Sequence, residues 1–229
     1  MPINEKRMRA SNERRERIFS AAHKIIAEHG YDRLTTRGLA EAAGVTAPTL
    51  YNLVGSKEEI VTQMAANGVE DVWRRLSLEP SSSPLKLCDA IIDQAHLVFA
   101  EDPDFQRAII IALDRLGVSY SAHTGGRDMG TLAADRCAEI AEQACEMALN
   151  HGKLRGNLSP HQLGLQMFIA FRGPLRDWAY GIIDAHDMMR RQKTGFYLAF
   201  AADAHDPYRQ ELLDAAASLA KNKPQLKAA

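Results

Sequence analysis

Asn52 carries a planar carboxamide that donates and accepts hydrogen bonds side by side, the pattern that matches the exposed edge of an adenine. Tyr51 precedes it, Lys57 follows five residues on, and Arg37 stands fifteen residues upstream. A phenol, an ammonium and a guanidinium around such an amide suit recognition of base edges and phosphates. Bond-making chemistry has no comparable support. The chain holds no HExxH, no GxSxG, no glycine-rich phosphate loop after a strand and no evident pair of carboxylates in a cleft. Cys88, Cys137 and Cys145 form no CxxC, and Cys137 and Cys145 lie two helical turns apart, too far for a metal pair. We therefore expect no catalytic residue, no metal, no cofactor and no enzyme activity.

Those side chains must be positioned by the stretch AGVTAPTLYNLVGSKEE, residues 43–59. Short apolar runs on either side of Gly44 predict two helices joined by a tight turn, the helix-turn-helix arrangement. Gly44 adopts positive φ without a Cβ penalty. Leu39, Ala40, Val45 and Leu50 supply the apolar contact between the two helices, and Ala42 and Ala43 permit close approach. Thr46 is expected as N-cap of the second helix, with its hydroxyl accepting the N–H of Thr49. Pro48 then falls in the first turn, where a missing N–H costs little. In this arrangement the start of the second helix meets base edges in the major groove. Thr46, Ala47, Pro48, Thr49 and Asn52 then face DNA. Thr36, as cap of the first helix, and Arg37 are further contacts, and Tyr51 and Lys57 are expected on phosphates.

The rest of the pattern is helical as well, and no convincing strand or repeat appears. Ile18, Ala22, Ile25 and His29 repeat at helical spacing, with Gly30 at the C-terminal end. Ser56 and Glu59 form a capping box for a long helix to about Leu78. EPSSSP at 79–84 is a joint. Further helices are expected over 85–100, 104–116, 131–151, 160–183, 187–205 and 207–221, with 117–130 as the longest loop. Gly173 and Pro174 should kink or break the helix 160–183.

Charge is divided unevenly along the chain. Residues 1–37 hold nine Lys/Arg against five acids, whereas the 229-residue chain has a net charge of −1. A basic head on an acidic body fits a polyanion partner for the head alone. Free cysteines fit a reducing compartment. No run approaches the roughly 18 apolar residues of a membrane span, so a cytoplasmic protein without a membrane partner is expected.

Residues 14–60 resemble the N-terminal domain of the TetR (tetracycline-repressor-like) regulators. The resemblance is carried by Ala21–Ala22, Gly30–Tyr31, Thr35–Thr36, Leu39–Ala40, Ala43–Gly44–Val45, Leu50–Tyr51 and Ser56–Lys57–Glu58. It departs where the family often has a small residue (here Pro48), histidine (Leu53) and phenylalanine (Val54). Leu53 removes a polar phosphate contact and Val54 an aromatic plug, so Tyr31 or Phe19 are candidates for docking the head on the body. The architecture expected is all-α: a basic, flexible arm at 1–12, a three-helix helix-turn-helix domain at 13–55, and a ligand-binding and dimerisation bundle at 56–229.

For the body, the resemblance implies a small-molecule effector and a homodimer. Helices apolar on more than one face give pocket candidates: Trp73, Cys88, Ile92, His96, Phe99, Phe105, Ile109, Leu113, Met167 and Phe171. His96 has an alternative role as a hydrogen-bonded core residue. By family analogy Leu165, Phe168, Arg172, Leu175, Trp178, Phe196, Tyr197 and Phe200 form the dimer interface, the alternative being the subunit's own core. The function expected is a regulator, most simply a repressor, released from double-stranded, pseudo-palindromic operator DNA by a hydrophobic or aromatic ligand. The alternatives are an activator of the same fold, or an all-α protein-interaction module without DNA binding.

Overall fold

The structure, a computed structural model, describes residues 2–80, 82–116 and 129–221. These form α1 (Pro2–His29), a 3₁₀ turn (Tyr31–Arg33), α2 (Thr36–Ala42), α3 (Ala47–Val54), α4 (Lys57–Arg75), α5 (Pro84–Glu101), α6 (Pro103–Arg115), α7 (Met129–Asn150), α8 (Pro160–Ala179), α9 (Ala185–Ala201) and α10 (Tyr208–Lys221). No strand occurs among the described residues, so the all-α expectation holds.

Residues 2–12 are the opening turns of α1, not a separate arm. Residues 3–17 contain neither Gly nor Pro, and Arg9 pairs with Glu13 one turn on, at 3.1 Å. The expected loop at 117–130 lies outside the described residues up to 128, and α7 already begins at Met129. Helix α8 continues through Gly173 and Pro174 to Ala179, so it is not broken there. Its start is fixed by a capping box in which Ser159 and Gln162 bond each other's backbone N–H.

Two large cores, with two smaller clusters beside them, organise the described residues. In the head, Ile18, Ala22 and Ile26 of α1 pack with Leu34, Leu39, Leu50 and Val54. Each fully buried aliphatic side chain contributes about 1.5–3 kcal/mol. The head core does not end at α3: Ile60, Val61 and Met64 of α4, and Phe105, Ile109, Ala112 and Leu113 of α6, belong to it. The body core gathers Leu87, Cys88 and Ile92 of α5, Ala144, Cys145 and Ala148 of α7, Met167 of α8 and Phe200 of α9. Helices α7 and α8 pack closely because Gly164 has no side chain; a Cβ there would stand 2.8 Å from the backbone nitrogen of Glu142.

Candidate nucleic-acid interface and ligand cavity

The turn between α2 and α3 is built as its residue types require. Gly44 takes φ 64°, and the Val45 N–H donates to the Ala40 carbonyl at 2.9 Å. Leu39, Ala40 and Leu50 are buried between the helices. Thr46 is the N-cap of α3: its hydroxyl oxygen accepts the Thr49 N–H at 3.3 Å and lies 2.8 Å from the Thr49 hydroxyl. The cap contributes about 1 kcal/mol. Pro48 occupies the first turn.

The candidate contact residues are largely solvent-facing. Thr36, Arg37, Thr46, Ala47, Pro48, Tyr51 and Asn52 are exposed, and Thr49 is half-buried at the cap. Tyr51 is 64 % exposed, unusual for an aromatic side chain with a core beside it. Thr36 is the first residue of α2 and not its cap; Thr35 takes that role, accepting the Gly38 N–H at 3.1 Å. Lys57 is half-buried, with Nζ 3.7 Å from the centre of the Tyr31 ring. Tyr31 also reaches Glu58, at 3.5 Å, and burial followed by that carboxylate pushes its phenol up to about 12.

Two arginines on α1 were not singled out from the sequence. Arg15 donates from Nη1 to the Leu53 carbonyl at 2.5 Å and from Nη2 to Gln63 at 3.4 Å, so it holds the last turn of α3. Arg17 is exposed and its guanidinium reaches the Gly44 turn, 3.9 Å from where a Cβ would stand. The missing aromatic and histidine at Val54 and Leu53 were the only signal that another group must secure this helix end.

The head is seated on α6 rather than through Tyr31 or Phe19 alone. The His23 ring stacks on Phe105 with centroids 4.0 Å apart, and its Nε2 lies 3.1 Å from Asp102. Arg115 donates to Asp32 at 2.7 Å.

Behind this junction the body contains a cavity of about 110 Å³. Its wall is contributed by α4 (Gly68, Val69, Val72), α5 (Ile91, Ala95, Phe99), α6 (Gln106, Ile109, Ile110, Leu113), α7 (Cys137, Ile140), α8 (Phe168, Phe171, Leu175) and α9 (Phe196). Gln106 and the Cys137 thiol are the polar side chains of that wall, and burial pushes the Cys137 thiol up to about 12, keeping it protonated. Such a cavity accepts apolar matter and offers one amide for orientation.

Residues 18–64 match the family model described as bacterial regulatory proteins, tetR family. The N-terminal unit is a tetR-family domain. A stretch of 94 residues, 41 % of the chain, is 31 % identical to the HTH-type transcriptional repressor KstR of Rhodococcus jostii. A 72-residue stretch is 33 % identical to an uncharacterized HTH-type transcriptional regulator of Mycobacterium tuberculosis. The matched stretches span 44 % and 38 % of those two relatives. Similarity of fold to solved structures extends over the body. SmeT, the repressor of the Stenotrophomonas maltophilia multidrug efflux pump SmeDEF, superposes with a TM-score of 0.62 at 20 % identity, covering 85 % of this chain and 92 % of SmeT. FadR of Thermus thermophilus, a TetR-family repressor in complex with lauroyl-CoA, gives 0.62 at 19 % identity, covering 84 % and 97 %.

The sequence-derived pocket residues divide. Phe99, Ile109, Leu113 and Phe171 line the cavity. Trp73, Cys88, Ile92 and Met167 instead pack in or against the body core, where Cys145 Sγ lies 3.6 Å from Met167 Sδ. Phe105 belongs to the head core. His96 is buried outside the cavity; its Nε2 lies 3.0 Å from Gln192 Oε1, and Gln192 donates to the Phe171 carbonyl at 2.9 Å. Burial holds the His96 imidazole below its usual value, hence neutral.

The proposed dimer residues divide in the same way. Phe168, Leu175 and Phe196 line the cavity. Trp178 lies against Phe99 at 5.9 Å, Tyr197 donates to Asp89 at 2.5 Å, and Phe200 is fully buried. All six serve the subunit's own interior. Leu165 and Arg172 are half-buried. The large apolar residues that α8 and α9 do expose are Ile169 (54 %) and Leu198 (51 %), which periodicity did not separate from the inward stripe because both faces are apolar.

Proposed function

We propose that the protein is a ligand-responsive, DNA-binding transcriptional regulator, acting as a repressor that leaves its operator when a small apolar molecule fills the cavity. The observation that carries this reading is the double membership of α4. Its capping box, Ser56 with Glu59, follows α3 directly, while Gly68, Val69 and Val72 on the same helix line the cavity. Any ligand that shifts these three residues acts on the helix to which the reading unit is attached.

The exposed face made by Arg37, Tyr51 and Asn52, with Arg17 at the turn, supports DNA as the partner. Thr36, Thr46, Ala47, Pro48, Thr49 and Lys57 complete the proposed contact set. A homodimer, paired through the outer surfaces of α8 and α9 around Ile169 and Leu198, would place two reading helices in successive major grooves of a pseudo-palindrome. Among the described residues no helix is long and apolar enough to cross a membrane. The proposed place of action is the cytoplasm, where bacterial operator DNA lies. Ligand and operator then oppose each other reciprocally, typically by about 1–3 kcal/mol.

The test is a gel shift with purified protein on DNA from upstream of its own gene, run across salt concentrations. Sequence-preferring binding whose affinity falls steeply with salt is expected. Absence of any preference for that DNA, together with a flat salt response, would overturn the proposal.

A further inference from the structure

Helix α1 starts at Pro2, yet no side chain from Glu5 to Arg17 is buried; burial begins at Ile18. A helical segment without an apolar face to pack is held by its own side-chain pairs or bridges to a partner. One such pair is present, Arg9 with Glu13 at 3.1 Å. The segment is also strongly charged, with six Lys/Arg against three Glu over residues 2–17.

Helical spacing sorts these charges. At about 100° per residue, Lys6, Arg7, Arg14 and Arg17 fall within an arc of about 100°. Glu5 and Glu16 stand on the opposite side. Glu13, at the edge of the arc, is taken up by Arg9, and Arg15 by the Leu53 carbonyl. The four side chains of the arc are exposed, and among the described residues none of them pairs with an acid. The arc adjoins the face through which Ile18, Ala22 and Ile26 enter the head core. Arg17 fixes its bearing, because its guanidinium reaches the Gly44 turn, 3.9 Å from where a Cβ would stand. The basic face therefore starts beside the turn that leads into α3 and runs toward Lys6, a length of about 16 Å.

We propose that this face of α1 is a second DNA-contacting surface, which follows the phosphates of one strand beyond the bases that α3 meets. The proposal rests on the DNA-binding reading above and adds to it a contact that carries no sequence information. Charge complementarity selects the partner. A strand of duplex DNA presents a phosphate about every 3.4 Å, so a face of about 16 Å sets its four cations against about five phosphates. Guanidinium groups hold phosphate oxygens through paired N–H donors, and the Lys6 ammonium acts as a point charge. Affinity and register come from α1, and base preference stays with α3.

The test is fluorescence anisotropy of two labelled duplexes, one from upstream of the protein's own gene and one of unrelated sequence, titrated with the full chain at about 50 to 200 mM salt. Lys6→Gln combined with Arg7→Gln and Arg14→Gln lowers affinity for both duplexes by the same factor. It also flattens the salt slope by up to about 2.7 per subunit, so that the unaltered chain loses up to about fortyfold more affinity than the variant across that range. Arg9→Gln, on the other side of the helix, leaves the slope as it was. Gln is as good a helix former as Lys or Arg, so the triple variant should unfold at the same temperature as the unaltered chain. An unchanged slope in the triple variant overturns the proposal, as does an equal effect of Arg9→Gln or a loss confined to the upstream duplex. An unaltered chain that prefers the upstream duplex beside a triple variant that binds identically leaves the regulatory reading intact and removes α1 from it. No binding of the unaltered chain to either duplex overturns both.

Discussion

Arg15 Nη1 lies 2.5 Å from the carbonyl oxygen of Leu53, a hydrogen bond spanning 38 residues that fastens the last turn of the reading helix to α1. The carbonyls at a helix C-terminus lack intrahelical partners, and a guanidinium there also meets the negative end of the helix dipole. It stands close to where the family often places its histidine and aromatic plug. We expect Arg15→Ala to cost about 1.5–3 kcal/mol of stability, the range for hydrogen bonds to charged groups. Chemical denaturation measures it, and a loss under about 0.5 kcal/mol, the ordinary surface value, would mean that the bond holds nothing.

Tyr51→Phe combined with Lys57→Ala should weaken binding to every DNA sequence and flatten the salt dependence by up to about 0.9 for each phosphate no longer neutralised. Lys57 also lies over the Tyr31 ring, so its removal takes away about 0.5–1 kcal/mol of local attraction. Binding at several salt concentrations separates the two roles: an unchanged slope means that Lys57 neutralises no phosphate, whereas the uncharged Tyr51 phenol acts on affinity alone.

Gly68 lines the cavity, and a Cβ built there meets nothing within 4 Å. Its absence of side chain is thus not a packing requirement. Gly68→Ala should stabilise the fold by about 1 kcal/mol through helix propensity while reducing the space for ligand. A raised melting temperature with weaker ligand-induced release from DNA is the expected pair of results; a lowered melting temperature contradicts it.

Gly164→Ala, by contrast, drives a methyl group against the Glu142 backbone at 2.8 Å. Overpacking of this kind costs about 1–3 kcal/mol. If thermal unfolding is unaltered, α7 and α8 are not in such close contact.

The buried His96 introduces a pH dependence with a definite sign. Its folded-state value is depressed by burial, so the unfolded chain takes up a proton first as pH falls. The stability it contributes is present above the ordinary value of 6.5 and is lost as pH falls from there through the lower folded value. Denaturant midpoints from pH 7.5 to 5 should fall less steeply in His96→Gln than in the unaltered chain. Parallel curves would remove His96 as a cause.

The helices and the reading unit were legible because their signals are local. Thr46, Ser56 and Gly44 act on neighbours within a few residues, and each stands where its type predicts. One local inference still slipped by a residue: Thr35 and Thr36 are both suitable caps, and the sequence offers no means of choosing. Long-range relations left no such trace. Phe99 and Phe105 have the same type and similar spacing from their neighbours, yet one lines the cavity and the other supports the head. Helices α8 and α9 are apolar on two faces, so periodicity identified their stripe and could not say whether Phe168 or Ile169 looked inward. Arg15 meets Leu53 through tertiary structure alone.

Ile109 and Leu113 belong both to the head core and to the cavity wall. Under the proposed function the two residues therefore meet two demands at once. A substitution there that suits a new ligand also alters how the reading head is seated, so it carries a regulatory side effect. Positions such as Ile140 and Phe171, which line the cavity and have no part in the head core, are free of that conflict. Directed evolution of the proposed effector site should begin at such positions on α7 and α8.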